Sequence, residues 1–270
     1  MLLKKMFVVL VLTALPTLSL AQKQTQSEAM ALKGIASPDS VTSCSNSYTS
    51  GSGHNLTKYC VTANGNITQF SRGGVEFLNA GALSEGYGVC DFNSGVQYFD
   101  YAFNESGNWN PTSVVSSGST SIKLQRSTSD GIWTLTQTIN KLAASAAGPG
   151  AAKITMALKN NTAVARSVYI IRHADVDANA TSGDDHFDNT LDTAIGLEPS
   201  FGGGFSSTSN TFNFSYDAYV QNVFGGPAPC NPYASFVSGP FTGDGSVEQL
   251  WFIAIPAGST KTVSLTYKPI

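Results

Sequence analysis

Residues 122–139 read IKLQRSTSDGIWTLTQTI, and this stretch decides the fold class. Two runs of alternating apolar and polar residues flank a Ser-Asp-Gly turn, a pattern typical of a β-hairpin. In the second run Trp133, Leu135 and Ile139 share one face of the strand, and threonines occupy the other. The stretch therefore predicts an antiparallel hairpin with one buried and one solvated face.

Similar signals occur on both sides of this hairpin. Asn64-Gly65, the strongest short turn signal, separates strand-like runs at 60–63 and 67–70. Residues 153–177 predict a longer antiparallel pair about an Asn-Asn turn, and residues 250–267 predict a closing pair about a Pro-Ala-Gly-Ser loop. The second strand of the longer pair is apolar on both faces at 168–171, which predicts a central position covered on both sides.

The composition supports an all-β protein. Charged residues make up 12% of the 270, with 15 Lys and Arg against 18 Asp and Glu, while 41% are hydrophobic and 10% aromatic. This excludes coiled coils, helical bundles and basic nucleic-acid binders, which carry more charge, and disordered chains, which lack such apolar content. Strand signals at short intervals, without a linker, predict one large antiparallel two-sheet β-sandwich with little helix over residues 41–270.

The N-terminal residues predict export. Lys4 and Lys5 precede an apolar run at 6–15, and Ser19 and Ala21 are the small residues that signal cleavage after position 21. The run is too short to span a bilayer comfortably, so we expect a signal peptide at 1–21 rather than the alternative, a retained membrane anchor. Residues 22–40 predict a flexible leader. The chain is expected to be secreted or periplasmic, with no stable membrane span after cleavage.

The cysteines fit an exported chain. An even number without Cys-x-x-Cys spacing favours disulfides over zinc or redox chemistry. Four cysteines allow three pairings, and we favour Cys44 with Cys60 and Cys90 with Cys230. The second pair would join distant parts of the chain.

Two short segments carry a family resemblance. Residues 65–70, GNITQF, followed by residues 74–78, GVEFL, are similar to the opening hairpin of galactose mutarotase-like supersandwich proteins. The resemblance implies a large two-sheet sandwich associated with carbohydrate, either catalytic or attached without catalysis to a glycan-processing enzyme.

Catalytic members of that family use histidines with a carboxylate base. This chain has three histidines, His54, His173 and His186. Glu248 is the one candidate for a matching late-strand glutamate, and its context is unlike the family's motif. We therefore assign none of the family's catalytic roles to residues of this chain, which fits the non-catalytic members of the family better.

The densest negative charge lies at 175–192, which holds six of the 18 acidic residues. Crowded carboxylates repel one another unless a cation lies between them, and Ca²⁺ takes six to eight oxygen ligands. Residues 175–179 repeat the first three ligand positions of an EF-hand, but Ala180 and His186 replace its required Gly and Glu. A solvated turn with Asx hydrogen bonds is the alternative. The candidate calcium ligands are Asp175, Asp177, Asn179, Asp184, Asp185 and Asp188.

Strand alternation places His173 and Asp175 on one face, where the carboxylate could orient the imidazole. With His186 they could form a mixed metal site or a general acid–base pair, although a histidine hydrogen-bonded into the structure is the alternative. Arg172 faces the other way and needs a buried carboxylate partner such as Glu85 or Asp91.

A second candidate site combines aromatic rings with carboxylates. Flat rings stack on sugar faces, and carboxylates accept hydrogen bonds from hydroxyl groups or hydrolyse a glycosidic bond. Aromatic residues at strand spacing are equally typical of a core. The candidate ligand-binding residues are Tyr87, Tyr98, Tyr101 and Trp109, and the candidate catalytic residues are His173, Asp175, Glu85 and Asp100.

Three functions follow as hypotheses. The first is non-catalytic binding of glycan or cell-envelope polysaccharide with a structural calcium loop. The second is a carbohydrate-active enzyme of mutarotase or glycosidase type, and the third is a structural or adhesive surface protein. The mildly acidic balance gives no electrostatic route to phosphate backbones, so no nucleic acid partner is expected. Calcium is the one cofactor expected, and the sequence does not indicate the oligomeric state.

Overall fold

Strands make up nearly all of the regular structure in the computed structural model, which describes residues 43–78, 85–180, 183–200, 202–222 and 226–270. The predicted signal peptide and leader, residues 1–40, lie outside the described residues. In the described residues, the helical segments are two short 3-10 turns, Gly53–Asn55 and Ala178–Ala180. The strands in chain order are β1 (Cys44–Ser50), β2 (Thr57–Thr62), β3 (Ile67–Arg72), β4 (Val75–Glu76), β5 (Glu85–Asp91), β6 (Val96–Asp100), β7 (Ser113–Ser117), β8 (Ser121–Ser127), β9 (Trp133–Leu142), β10 (Ala151–Asn160), β11 (Arg166–Val176), β12 (His186–Asn189), β13 (Thr193–Glu198), β14 (Gly203–Ser209), β15 (Ser215–Gln221), β16 (Phe241–Thr242), β17 (Gly245–Ile255) and β18 (Thr260–Pro269).

The largest sheet contains nine antiparallel strands in the order β16-β12-β13-β14-β18-β10-β9-β8-β7. In β9 the side chains of Trp133, Leu135 and Ile139 are buried, while the threonines between them are partly exposed. β8 pairs with β9 across the Ser-Asp-Gly turn, so the predicted hairpin is confirmed. This part of the sheet buries one face and presents the other to solvent.

The second sheet contains five antiparallel strands in the order β15-β17-β11-β5-β6. β11 lies at its centre and is buried on both faces over most of its length, which confirms the prediction of a central, doubly covered strand. Its two faces differ in chemistry. Val168, Ile170, Ala174 and Val176 join the main apolar cluster, whereas Tyr169, Ile171, His173 and Asp175 lie on the opposite side, which we call the outer face.

The core fills the space between these two sheets. One continuous apolar cluster contains Trp133 and Ile154 from the nine-stranded sheet together with Ile170 and Trp251 from the five-stranded sheet. Each fully buried side chain of this size contributes about 1.5–3 kcal/mol of transfer free energy. The architecture is therefore the large antiparallel two-sheet β-sandwich expected from the sequence.

A smaller sheet, β1-β2-β3-β4, packs against one part of the sandwich. β2 and β3 form the hairpin predicted at Asn64-Gly65, and Gly65 has a φ of 88°, which glycine adopts without strain. Tyr59 stacks on Phe70 with ring centroids 5.6 Å apart, and Phe70 meets Phe205 of the nine-stranded sheet edge-on at 5.4 Å. These rings join the small sheet to the core.

Two of the predicted strand pairs are wrong. β10 and β11 follow each other in the chain but lie in different sheets, since β10 pairs with β9 and β18 whereas β11 pairs with β5 and β17. β17 and β18 are divided between the sheets in the same way. β11 and β17 belong to a sheet covered on both faces, while β10 and β18 alternate between buried and exposed positions. The two connections are therefore corners of the sandwich.

Both predicted disulfides are present. Cys44–Cys60 joins β1 to β2, and Cys90–Cys230 joins β5 to residues 226–240, which cross the outer face and which we call the covering segment. Tyr101 and Tyr219 donate hydroxyl hydrogen bonds of 2.8 Å to two carbonyl groups of this segment. The covering segment thus closes part of the outer face.

The described residues contain no helix of the length and apolar character that crossing a bilayer would require.

Candidate functional site

The outer face of the five-stranded sheet carries rows of side chains that change in character along the strands. Because β15, β17 and β11 are in register, each row contains one residue from each strand. At one end of these rows Phe252 is exposed to solvent, and we call it the open end. Towards the other end the covering segment packs over the sheet, where Tyr219 donates a hydrogen bond to the Pro232 carbonyl. The rows are Ser215, Phe252 and Tyr169 at the open end, then Asp217, Leu250 and Ile171, then Tyr219, Glu248 and His173.

An open groove of about 250 Å³ occupies the first two rows. Of the five exposed aromatic side chains in the described parts of the chain, Tyr233 and Phe252 line the groove, and Phe92, Phe212 and Phe236 each contact an aromatic residue that lines it. Such a concentration of exposed apolar surface is typical of a binding site. The groove is lined by Tyr169, Ser215, Tyr216, Asp217, Tyr233, Leu250 and Phe252, with Phe92 and Phe236 next to it.

The rings at the open end support one another. Phe92 meets Tyr169 and Phe252 edge-on, with centroids 4.7 and 5.6 Å apart, and Tyr169 lies 5.6 Å from Phe252. Edge-to-face contacts of this kind stabilise the positions of the rings. Phe252 nevertheless remains 44% exposed. The groove therefore presents aromatic surface that is already ordered.

Asp217 supplies a carboxylate to the groove. Tyr233, itself 42% exposed, donates a hydrogen bond of 3.1 Å to Asp217 Oδ2. Partial burial raises the pKa of Asp217, and the hydrogen bond from Tyr233 opposes that effect. A carboxylate accepts several hydrogen bonds, so this group can also receive donors from a ligand.

An apolar wall separates the groove from the third row. Ile171, Tyr219 and Leu250 form a buried cluster on the outer face, and Tyr219 also contacts the ring of Tyr233 at 5.0 Å. In β5 the residue beside Ile171 is Gly88, where a Cβ would come within 2.7 Å of Pro229 and of the Tyr101 hydroxyl. The glycine allows the covering segment to pack closely against the sheet.

His173 and Glu248 form a buried pair behind this wall. His173 Nδ1 is hydrogen-bonded to Glu248 Oε1, and Gln221 donates a second hydrogen bond to the same oxygen. Tyr101 packs edge-on against the imidazole with ring centroids 5.4 Å apart. Burial raises the pKa of Glu248, and the interaction with His173 opposes this. The residue types suit acid–base chemistry, but both side chains are completely shielded from solvent.

Glu248, rather than Asp175, orients His173. Asp175 lies two positions along the same strand, whereas Glu248 lies directly opposite His173 on the neighbouring strand. Facing side chains on adjacent strands are only about 4.5–5.5 Å apart at Cβ, closer than two positions along one strand. His186, the other histidine of the predicted site, begins β12 in the nine-stranded sheet and is partly exposed. It therefore lies in a different sheet from His173.

Beyond this pair the outer face ends in carboxylates. Asp175, Asp177 and Asp244 are buried, and their ligand atoms lie within 4.8 Å of one another. Asp185 is also buried and interacts electrostatically with Asp177. Of the other predicted calcium ligands, Asn179 and Asp184 are exposed and Asp188 is partly exposed on β12. Asp244 was missed because it lies more than fifty residues from the acidic stretch in sequence.

The predicted aromatic platform lies in the interior. Tyr87, Tyr98, Tyr101 and Trp109 are all buried, and Trp109 meets both Tyr87 and Tyr98 edge-on at 5.8 and 5.9 Å. Their strand spacing therefore reflects packing, and we do not retain them as ligand-binding residues.

Glu85 and Asp100, two of the predicted catalytic residues, are each held by a buried arginine. Glu85 receives two hydrogen bonds from Arg172 at 2.6 and 2.8 Å, which confirms the predicted need of Arg172 for a carboxylate. Asp100 pairs with Arg126 at 2.7 Å. Both carboxylates face the interior and serve the structure there.

The groove residues were missed by the sequence analysis. Asp217, Tyr233 and Phe252 come from three separate segments of the chain, and none of these segments shows a binding motif by itself. The available signal was Phe252, an aromatic residue at the position in β17 that faces away from buried Trp251 and Ile253. Pairing between strands, which the sequence does not specify, brings these residues together.

A larger cavity of about 400 Å³ lies elsewhere, between the small sheet and the C-terminal residues. It is lined by His54, Arg72 and Phe77 together with Val75, Ile270 and several glycines. Phe77 is itself buried, so this cavity presents little aromatic surface. The groove, which combines a carboxylate with several aromatic rings, is therefore a better candidate binding site than this cavity.

No protein-family model and no curated protein matches the sequence. Solved structures match the fold. One is a bacterial glucoamylase in complex with acarbose, with a TM-score of 0.55 and 8% identity over 87% of this chain and 33% of the glucoamylase. This chain thus spans about a third of the length of that protein.

Two further matches cover nearly the whole of the other protein. A candidate aldose 1-epimerase from Escherichia coli K12 has a TM-score of 0.49 and 13% identity over 83% of this chain and 99% of its own. A galactose mutarotase related enzyme from Lactobacillus acidophilus has a TM-score of 0.44 and 11% identity over 83% and 97%. Mutarotase-related proteins are thus among the structural neighbours of this chain. At these identities the likeness is one of fold alone.

Proposed function

We propose that this protein is exported and binds carbohydrate without turning it over, and that the groove is the binding site. The observation that carries the proposal is the concentration of exposed rings, Phe92, Tyr233, Phe236 and Phe252, around the Asp217 carboxylate.

The chemistry of the groove suits a saccharide. Aromatic rings stack on the apolar faces of sugar rings, and a carboxylate accepts hydrogen bonds from sugar hydroxyl groups. The tyrosine hydroxyl groups and Ser215 add further polar positions. A groove of this size holds a short stretch of saccharide and leaves the rest of a longer chain in solvent.

Two further observations support the ligand class and the compartment. One structural match, with a TM-score of 0.55, is to a glucoamylase, a carbohydrate-active enzyme by name. The two disulfides are typical of proteins outside the cytoplasm and agree with the predicted signal peptide.

Calorimetric titration of the purified chain tests the proposal. The probes are linear hexasaccharides of α-linked glucose, β-linked glucose, xylose, mannose and N-acetylglucosamine. We expect at least one of them to bind, and Phe252→Ala and Tyr233→Ala each to weaken that binding about tenfold, since a stacking ring contributes on the order of 1 kcal/mol.

The matched control is Leu191→Ala, which removes an exposed apolar side chain outside the groove. Its affinity should equal that of the wild type. Equal loss in the control and in the groove variants would contradict the assignment of the site. Failure of every probe to bind would contradict the function and leave the structural or adhesive role.

A carbohydrate-active enzyme is the second candidate, and the His173–Glu248 pair is the observation that favours it. Catalysis would require movement of the wall formed by Ile171, Tyr219 and Leu250, because the pair is shielded from solvent. Under the binding proposal, His173→Gln leaves the hexasaccharide affinity unchanged and no product forms. Cleavage or anomeric exchange by the wild type that disappears in this variant would favour the enzyme.

A further inference from the structure

Three buried carboxylates converge where the outer face ends. Asp175 and Asp177 come from the end of β11 and the residue after it, and Asp244 immediately precedes β17. Their ligand atoms all lie within 4.8 Å of one another. Two oxygens bound to one Ca²⁺ ion lie at most about 4.8 Å apart, because the Ca–O distance is about 2.4 Å, so these three side chains are close enough to share an ion.

A fourth carboxylate provides an independent observation. Asp185 comes from a different segment and is completely buried. One of its oxygens accepts a 2.9 Å hydrogen bond from the Ala178 backbone N–H, while the other, Oδ1, has no hydrogen-bond partner in the structure as described. The charges of Asp177 and Asp185 interact. Within the group itself, Asp175 Oδ1 is also buried and has no hydrogen-bond partner in the structure as described.

The surroundings of Asp175 are acidic rather than basic. Its largest charge interactions are with Asp177, Asp244, Asp185 and Glu248, and each of them, together with burial, raises the pKa of Asp175. The buried or partly buried arginine pairs lie elsewhere: Arg126 with Asp100, Arg166 with Asp91 and Arg172 with Glu85. Burial and mutual repulsion of these carboxylates favour either their protonation or a metal cation bound between them.

We propose that Asp175, Asp177 and Asp244 bind one Ca²⁺ ion, with Asp185 beside them as a fourth acidic group. The donor set is made of oxygens alone, which Ca²⁺ prefers over the nitrogen and sulfur ligands of zinc. The ion would connect the end of β11 to the start of β17. This site differs from the loop predicted from sequence, since Asp244 replaces Asn179, Asp184 and Asp188. It is independent of carbohydrate binding at the groove.

The first test measures bound metal and thermal stability of the full chain. After dialysis against Ca²⁺, elemental analysis should find one calcium per chain. At a Ca²⁺ concentration about 100 times the dissociation constant, the melting temperature should rise by roughly 5–10 °C over that in EDTA. Magnesium at the same concentration should give a clearly smaller shift.

The second test uses Asp244→Asn, which produces opposite effects in the two conditions. In EDTA this variant should melt higher than the wild type, because one of the repelling charges is gone. In Ca²⁺ it should melt lower, because a ligand is gone, and its affinity for Ca²⁺ should fall at least tenfold. Asp188→Asn is the control, since it removes a nearby carboxylate that the site does not use, and it should match the wild type in both conditions.

Several results would overturn the proposal. Absence of bound calcium, with equal melting temperatures in Ca²⁺ and EDTA, would mean that protons neutralise the carboxylates. A shift of the same size with Mg²⁺ would refute the choice of ion. Loss of the calcium effect in Asp188→Asn, with the effect retained in Asp244→Asn, would place the ion in the surface loop instead.

Discussion

Arg172 is a completely buried cation that is hydrogen-bonded on several sides. In addition to Glu85, it donates to the side-chain oxygen of Gln137 at 2.7 Å and to the Gly65 carbonyl at 3.1 Å. A buried charge is tolerated only when its partners are in place, so these bonds specify one arrangement of β5, β9, β11 and the first hairpin.

Glu85→Gln tests this arrangement at the scale of one residue. The substitution leaves the Arg172 charge uncompensated, and we expect the free energy of unfolding to fall by about 3–5 kcal/mol. Urea denaturation followed by circular dichroism measures the change. The double variant Glu85→Gln/Arg172→Met removes both charges and should lose less than the sum of the two single variants. Strict additivity would show that the two residues act separately.

The environment of a residue could be predicted where it depends on the pattern of one strand. The partner of a residue was harder to predict where it comes from a neighbouring strand. The need of Arg172 for a buried carboxylate followed from its position in an apolar strand, and Glu85 was one of two candidates. The partner of His173 was misassigned, because Asp175 is close in sequence while Glu248 is close in space. Register between distant strands depends on the whole sheet.

At the scale of elements, the covering segment depends on its disulfide. Cys90–Cys230 links residues 140 apart in sequence, whereas Cys44–Cys60 links residues 16 apart. In the loop-closure model the longer link restricts the unfolded chain more strongly. The longer link also positions Tyr233, which belongs both to the covering segment and to the groove.

We expect Cys90→Ala/Cys230→Ala to be less stable than Cys44→Ala/Cys60→Ala by about 2 kcal/mol. Hydrogen exchange should accelerate most in residues 226–240, because the segment loses its covalent link to β5. Affinity for a bound hexasaccharide should fall as well, since Tyr233 would no longer be held in place. Unchanged exchange in these residues would show that the hydrogen bonds from Tyr101 and Tyr219 suffice to hold the segment.

Strands were predicted more reliably than their pairings. The hairpins at Asn64-Gly65 and at 129–131 have short turns that specify antiparallel neighbours, and both are confirmed. The pairs at 153–177 and 250–267 looked similar, but their two strands differ in burial. The contrast between β10, which alternates, and β11, which is apolar on both faces, was visible in the sequence and could have indicated different sheets.

At the scale of the molecule, the sandwich architecture could be predicted because apolar alternation is a local property of each strand. Disulfide formation could be predicted from an even number of cysteines without Cys-x-x-Cys spacing, and the favoured pairing of three is the one observed. The groove could not be predicted, because its lining comes from β11, β15, β17 and the covering segment. Of the aromatic residues chosen from sequence, Tyr87, Tyr98 and Trp109 belong to the core, and Tyr101 is buried against His173 and the covering segment, since alternation identifies a face but not whether that face is covered. Under the binding proposal, function on this fold depends on the assembled outer face rather than on any single strand.

The most direct test of the account is an aromatic ¹H–¹³C NMR spectrum recorded with and without the tightest-binding hexasaccharide. Resonances of Tyr169, Tyr216, Tyr233 and Phe252 should shift on binding, while those of the buried rings Tyr98 and Trp109 should stay in place. Binding that leaves all four groove resonances unmoved would contradict the assignment of the groove as the carbohydrate site.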